Sequence, residues 1–221
     1  MTTGHIIVAG GLTPVEAPEV ITYLSDPHVA PRVTDGKQRT REKVTGIVLH
    51  TSRGVRGHVR PGAFPSKRAE LLALYQSRTT RDVSWHLTID TDGTVIQQAD
   101  AALWMCWHAG HANGWSVGIE CVQQPDTGDL WSVQVDACVA VVEALCGALG
   151  IARRTPVGRD GKPWAGLIHE QQEASEGGLG RPFAGVLGHR ALTRNRGPGD
   201  PGDVIFDALL ARGFEGVTVT G

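Results

Sequence analysis

The sequence predicts one α/β domain, a mixed central β-sheet flanked by helices. Three observations predict it. Strand-like and helix-like stretches alternate along most of the chain, which favours helices packed on a sheet. Thr91-Asp92-Gly93 separates two strand-like runs, and Asp-Gly supplies the positive-φ turn of a hairpin, so one strand pair is antiparallel. Thr45 to Thr51 is a continuous β-branched and apolar run, as in a strand covered on both faces. At 221 residues the chain is long enough for one sizeable core. We expect an N-terminal extension, 1–44, packed on a domain spanning 45–221 that carries an insertion at 155–185.

The elements follow in order. Ile6 to Ala9 reads as an edge strand, and Glu19 to Leu24 as a short helix or strand. Asp26 to Lys43 is charged and reads as loop. After the strand ending at Thr51, Ser52 to Pro65 holds three glycines and two prolines and reads as loop. Ser66 is a plausible N-cap for a helix ending near Thr79. Ser84 to Asp90 and Thr94 to Ala99 are the arms of the Asp-Gly hairpin, and Ser116 to Gln123 is another strand. Ser132 is expected to cap a long helix in which Cys138, Val141, Val142, Leu145 and Leu149 recur at helical spacing, and Gly150 to close it. The 155–185 stretch is broken by Gly and Pro and shows little periodicity. Val186 to Gly188 is a short strand, and Asp203 caps a last helix, Val204 to Arg212. There is no internal repeat and no low-complexity tract.

Composition excludes several classes. An apolar fraction of 41% and a charged fraction of 20% suit a globular chain. A net charge of -2 gives no basic face for nucleic acid and no attraction to anionic membranes. No apolar run approaches the ~20 residues of a membrane span. Met1 to His5 carries no Lys or Arg, and Ile6 to Ala9 is too short for a signal-peptide core, so synthesis and folding in the cytoplasm are expected. Action elsewhere would need release or delivery. Cys106, Cys121, Cys138 and Cys146 form no Cys-x-x-Cys pair; we read them as reduced, buried small hydrophobes, a thiolate site being the lesser alternative. A monomer is expected.

The chemistry rests on a conjunction. A single His at a strand end, such as His50, is more often structural than ligating. The same holds for His189, and Asp200 before Pro201-Gly202 has the sequence of a turn residue. Together they offer two imidazoles and one carboxylate, the donor set of a catalytic zinc centre that keeps a fourth position for water. Water bound there loses its proton near neutral pH. Glu120 interrupts an apolar strand where Val or Ile would be favoured, and a carboxylate there is costly unless paired. It reads either as a core Glu tied to an Arg or as a general base whose pKa burial raises; we favour the base.

The ordered set His50-Thr51, Trp107-His108-Ala109-Gly110, Asn113, Ser116-x-Gly118-Ile119-Glu120, Gly188-His189-Arg190 and Asp200-Pro201-Gly202 resembles the type 2 N-acetylmuramoyl-L-alanine amidases. That family includes phage amidase lysins, muropeptide-recycling amidases and peptidoglycan recognition proteins. The likeness covers roughly residues 45–212. It implies a zinc cleft on one side of the sheet, and cleavage of the amide between N-acetylmuramic acid and L-alanine in peptidoglycan or muropeptides, an endolysin-like, antibacterial activity. It implies His50, His189 and Asp200 as zinc ligands, Glu120 as the acidic residue acting on water, and His108 as a cleft residue touching substrate. A non-hydrolytic peptidoglycan-binding module on the same fold is the alternative.

Two departures bear on the mechanism. Trp85 stands where many members have Tyr, so no phenol assists and more rests on Glu120. Pro198 stands where many have Lys two residues before the aspartate ligand; Arg196, with Arg194 second, is expected to supply that positive charge, and zinc with either Arg196 or His108 to hold the oxyanion. Other signals are set aside. His169-Glu170-Gln171-Gln172-Glu173 lacks the second His of a zincin motif and reads as a solvated stretch. His111 reads as surface, and Gly177-Gly178-Leu179-Gly180 as linker. Trp104, Trp107, Trp115, Trp131 and Trp164 read as core or rim, with Trp104 or Trp107 placed to meet glycan. The 155–185 insertion is expected to form either a wall over the stem peptide or a tolerated surface excursion.

Overall fold

A computed structural model of the chain describes residues 2–31, 38–52, 68–122, 130–196 and 200–220. The strands are β1 (Thr2–Val8), β2 (Gly11–Ala17), β3 (Val20–Thr22), β4 (Gly46–Ser52), β5 (Leu87–Ile89), β6 (Val95–Gln97), β7 (Ser116–Val122), β8 (Arg154–Val157), β9 (Gly185–Gly188) and β10 (Glu215–Thr218). The helices are α1 (Arg68–Arg78), α2 (Ser132–Leu149), α3 (His169–Glu176) and α4 (Asp203–Ala211).

Six strands form one sheet in the order β3-β6-β5-β7-β4-β9. Only β5 and β6 run antiparallel; they are the arms of the Asp-Gly hairpin, and Gly93 has φ +85° as that turn demands. The other neighbours are parallel, so the sheet is mixed. β4 is buried along its whole length, as its unbroken apolar run requires.

Side chains alternate between the two faces. Ile47 and Leu49 of β4, Ile119 and Cys121 of β7, and Leu87 and Ile89 of β5 face a core that includes Cys138, Val141, Val142 and Leu145 of α2 and Ile205 and Leu209 of α4. The intervening positions look the other way. There Val48 and Leu187 pack with Ala109, Ala112 and Ile168, while Ile96 and Val122 pack with Ala73 of α1. This second face carries His50 of β4, Thr88 of β5 and Glu120 of β7.

α2 is long and apolar enough to cross a membrane by length and composition, although the sequence showed no run near ~20 residues. Within the protein 56% of it is buried, as in a core helix. The four cysteines are free and buried.

Several expectations change. Ile6 to Ala9 is not an isolated edge strand: β1 and β2 form a two-stranded hairpin of their own. Glu19 to Leu24 resolves as the edge strand β3. The 155–185 stretch contains β8's end and the helix α3, and β8 pairs in parallel with β10, beyond the last helix. Polar α3 escapes a periodicity reading because few of its residues are apolar, yet Gln171 and Ala174 are buried. The stretch beginning at His169 is therefore helix, and Gly177, at φ +82°, is its left-handed C-cap. Neither Ser132 nor Asp203 is an N-cap; each is the first helical residue, after Trp131 and Gly202. Asp203 instead accepts from Arg190 at 2.6 Å. Ser66 and Pro198 lie outside the described residues.

Candidate active site

The site is built on the second face of the sheet. Parallel pairing sets Thr88 of β5, Glu120 of β7 and His50 of β4 opposite one another in a single cross-strand row. β9 pairs Gly188 with Leu49, so His189 emerges one residue further on, beside His50. The imidazoles of His50 and His189 meet edge to face with centroids 4.5 Å apart. Asp200 arrives from the loop between β9 and α4. Its Oδ1 accepts the Thr51 backbone N–H at 2.9 Å, and its Oδ2 lies 3.7 Å from His189 Nδ1. The Arg190 N–H donates to the Asp200 carbonyl at 3.1 Å, while the Arg190 guanidinium pairs with Asp203, so one residue ties both ends of that loop.

His50, His189 and Asp200 are all buried, and one ligand atom from each lies within 4.8 Å of the others. His189 Nδ1 is buried and makes no hydrogen bond. Such an atom normally finds a partner. Burial above all, then neighbouring His189, His108 and Arg196, hold the His50 pKa well below 6.5. Burial and then Arg196 push His189 down to about 3. Both rings are neutral at pH 7, with the lone pair a metal needs. Donor set, spacing and the idle Nδ1 thus fit a zinc ion.

Glu120 is half-buried. Burial first, then the Asp200 charge, raise its pKa to about 8, against an opposing pull from Arg196. Arg196 Nε is 3.5 Å from Asp200 Oδ2, and the side chain is 42% exposed. The structure thus brings the expected cation to the rim, with part of its charge answered by Asp200.

His108, half-buried, touches the ligand set directly. Its Nδ1 is 3.0 Å from His50 Nε2, so the two rings share one proton contact. Its main-chain N–H, and that of Ala109, donate to Asn113 Oδ1 at 2.9 and 2.6 Å. Gly118 makes room for the ring: a Cβ there would lie 2.6 Å from His108 Cγ. A glycine inside a strand signals such an approach, and the sequence carried that signal unread. Burial and then Arg39 bring the His108 pKa down to about 3.

A further residue escaped the sequence reading. His86, fully buried, accepts the Gly118 N–H at its Nδ1 at 3.0 Å. That places its proton on Nε2, 3.0 Å from the Trp104 carbonyl. His86 stacks edge-on to His108 with centroids 5.7 Å apart. Its neighbour Trp85 is buried and donates its indole N–H to Thr88 Oγ1 at 2.7 Å. His111 is exposed, and Trp107, at the cleft motif, is 37% exposed.

A family model described as N-acetylmuramoyl-L-alanine amidase matches residues 40–203, well over half of the chain. The chain belongs to the N-acetylmuramoyl-L-alanine amidase family. This amidase fold is similar to that of the endolysin amidase LysCS from Clostridium intestinale, at 14% identity, covering 90% of this chain and 97% of that one, with a TM-score of 0.51. It is also similar to a mutant of Drosophila PGRP-LB in complex with tracheal cytotoxin, at 12% identity, 90% and 96% coverage and a TM-score of 0.52. At such identities the likeness is one of fold. No curated protein sequence matches the chain.

Proposed function

We propose that the chain is a zinc-dependent amidase that hydrolyses the bond between N-acetylmuramic acid and L-alanine in peptidoglycan or soluble muropeptides. The observation that carries this reading is the convergence of His50, His189 and Asp200, three buried donors within 4.8 Å, beside Glu120 in register with His50. His50, His189 and Asp200 would hold the ion. When bound, zinc supplies Lewis acidity and a water of lowered pKa.

The chain's own groups divide the rest. Glu120 takes the proton of the attacking water and returns it to the leaving amine. Without metal its pKa is raised to about 8; the charge of a bound ion would draw it back toward neutral, where one group can both take and return a proton. The Arg196 guanidinium faces the negative oxygen that develops at the carbonyl. His108 orients the His50 ring through Nε2 and, half-buried, edges the cleft where substrate sits. The Thr51 N–H fixes one oxygen of Asp200 and so sets the direction of the other. Trp85, whose N–H is committed to Thr88, supplies no acid, so proton transfer falls to Glu120.

That last feature also favours a second reading, a peptidoglycan-binding module that does not hydrolyse. One experiment separates the two. Muropeptides and intact sacculi are incubated with the protein and the products weighed by mass spectrometry. The amidase releases free L-alanyl peptide, stops with a chelator and recovers with zinc. Binding without release, with zinc present, leaves only the second reading.

A further inference from the structure

The loop joining β6 to β7 carries His108 and Asn113, and holds little regular structure beyond a 3-10 turn at Gly110–Gly114. Long loops of this kind keep their shape only when their polar groups are tied down. Several groups tie points along it. The Asp100 carboxylate takes the N–H groups of Ala102 and Leu103. Ser84 bonds the main chain of Trp107 in both directions, and Ser175 Oγ donates to the Ala109 carbonyl at 3.0 Å. One side chain joins the two ends.

That side chain is Arg39, only 5% exposed. Its Nε and Nη2 donate to the carbonyls of Ala102 and Ala101, at 3.1 and 2.8 Å, where the loop begins. Its Nη1 donates to the carbonyls of Asn113 and Ser116, at 2.7 and 2.6 Å, where the loop ends. Nη2 also lies 3.0 Å from His86 Nε2. The Arg39 backbone N–H adds a bond to the Leu103 carbonyl at 2.9 Å. A planar fork with five N–H groups suits this task, and Lys has no equivalent. Carbonyl oxygens rather than a carboxylate surround the charge, an expensive arrangement that apolar packing could replace if stability alone were at stake. Arg39 precedes by one residue the segment that the family model matches.

We infer that Arg39 is a positioning residue of the active site: its guanidinium closes the neck of the 101–116 loop and thereby holds His108 against His50. The inference rests on the amidase reading for its activity arm alone. The chain from Arg39 to the ligand set is short. Arg39 holds Asn113 and Ser116, Asn113 holds the His108 main chain, and His108 meets His50.

The test compares Arg39→Met and Arg39→Lys with the wild-type chain. In metal-free protein, long-range nitrogen–proton NMR correlations read the ring tautomers of His50, His86 and His108. Co2+ titration then reads metal affinity, and muropeptide hydrolysis reads kcat and KM separately. Arg39→Lys keeps the charge, and we expect it to fold but to show exchange-broadened His50 and His108 ring signals. We also expect Co2+ affinity and kcat each down about tenfold, with KM little changed, as for a catalytic group held slightly out of place. Arg39→Met should show the same, more strongly. Ring signals and Co2+ affinity within twofold of wild type in either folded variant, whatever its melting temperature, would reduce Arg39 to a stabilising residue and overturn the inference. Should neither variant fold, the wild-type guanidinium decides: distinct, exchange-protected N–H signals support the closed neck, and averaged ones refute it. If wild type binds no Co2+ and releases no peptide, the amidase reading fails, while the ring signals still judge Arg39.

Discussion

His50 and Glu120 stand opposite one another on neighbouring parallel strands, on the face of the sheet turned away from α2. Period-2 alternation accounts for a carboxylate inside an apolar strand. Ile119 and Cys121 serve the core, and the residue between them cannot reach it.

Glu120→Gln keeps the shape and removes the base. We expect zinc binding to persist and turnover to fall by about 10² to 10⁴, the usual reach of general-base catalysis. Zinc content by atomic absorption and peptide release by mass spectrometry check this. Near-normal turnover would remove Glu120 from the mechanism.

The stability of metal-free protein should peak near neutral pH, at about 7. His108 and His189, at about 3, stay neutral when folded, whereas the unfolded rings charge below 6.5. His50 and His86 are also held well below 6.5. The unfolded chain therefore binds more protons from pH 6.5 down to 3, and stability falls with acid over that window. Glu120 acts in reverse: between 4.5 and 8 the folded state keeps a proton that the unfolded state releases, so stability falls as pH rises. Each proton contributes a slope of about 1.4 kcal/mol per pH unit, so the four histidines dominate below about pH 7 and Glu120 above. Urea unfolding in chelator across pH 4 to 8 measures the curve. Glu120→Gln should flatten its alkaline side.

Zinc should stabilise the fold, because the three donors converge only in the native state. At 100 times its Kd the ion adds about 2.7 kcal/mol. His189→Ala should abolish both that rise in melting temperature and hydrolysis. An unchanged zinc response in the variant would clear His189 of ligation.

Gly118→Ala places a methyl against the His108 ring, which backbone φ does not forbid. We expect a loss of about 1–3 kcal/mol from overpacking, with activity reduced by far more than the folded fraction. Activity that tracks only the folded fraction would show that the ring can shift without consequence.

Arg196→Ala removes a cation 3.5 Å from Asp200. Zinc affinity should hold or tighten, since a dication no longer meets that repulsion, while turnover drops. The drop should fall short of the 10² to 10³ typical of an enclosed donor, because the side chain is 42% exposed. Isothermal titration with zinc and steady-state kinetics separate the two effects.

Much of this was legible in the residues. The unbroken run at β4, the Asp-Gly turn and the helical spacing in α2 report local forces, and each element formed where those forces place it. The convergence of residues 50, 189 and 200 came from a family likeness, since spacing in sequence carries no distance across a sheet. α3 and the β8–β10 pair were hidden because they bury few apolar side chains. Arg39 gave no signal at all. A charged residue in a polar stretch looks solvated, and only the closed loop shows that four guanidinium N–H groups have carbonyl acceptors waiting.

β9 docks beside β4, yet more than a hundred residues separate them in the chain. A ribosome releases His50 long before His189 and Asp200 exist. A nascent or prematurely terminated chain therefore lacks the full set of three donors, and on the proposed amidase reading hydrolysis would begin only after the late strand has slotted in. Under that reading metal uptake would report completed folding, and a nick that frees β9 would abolish it.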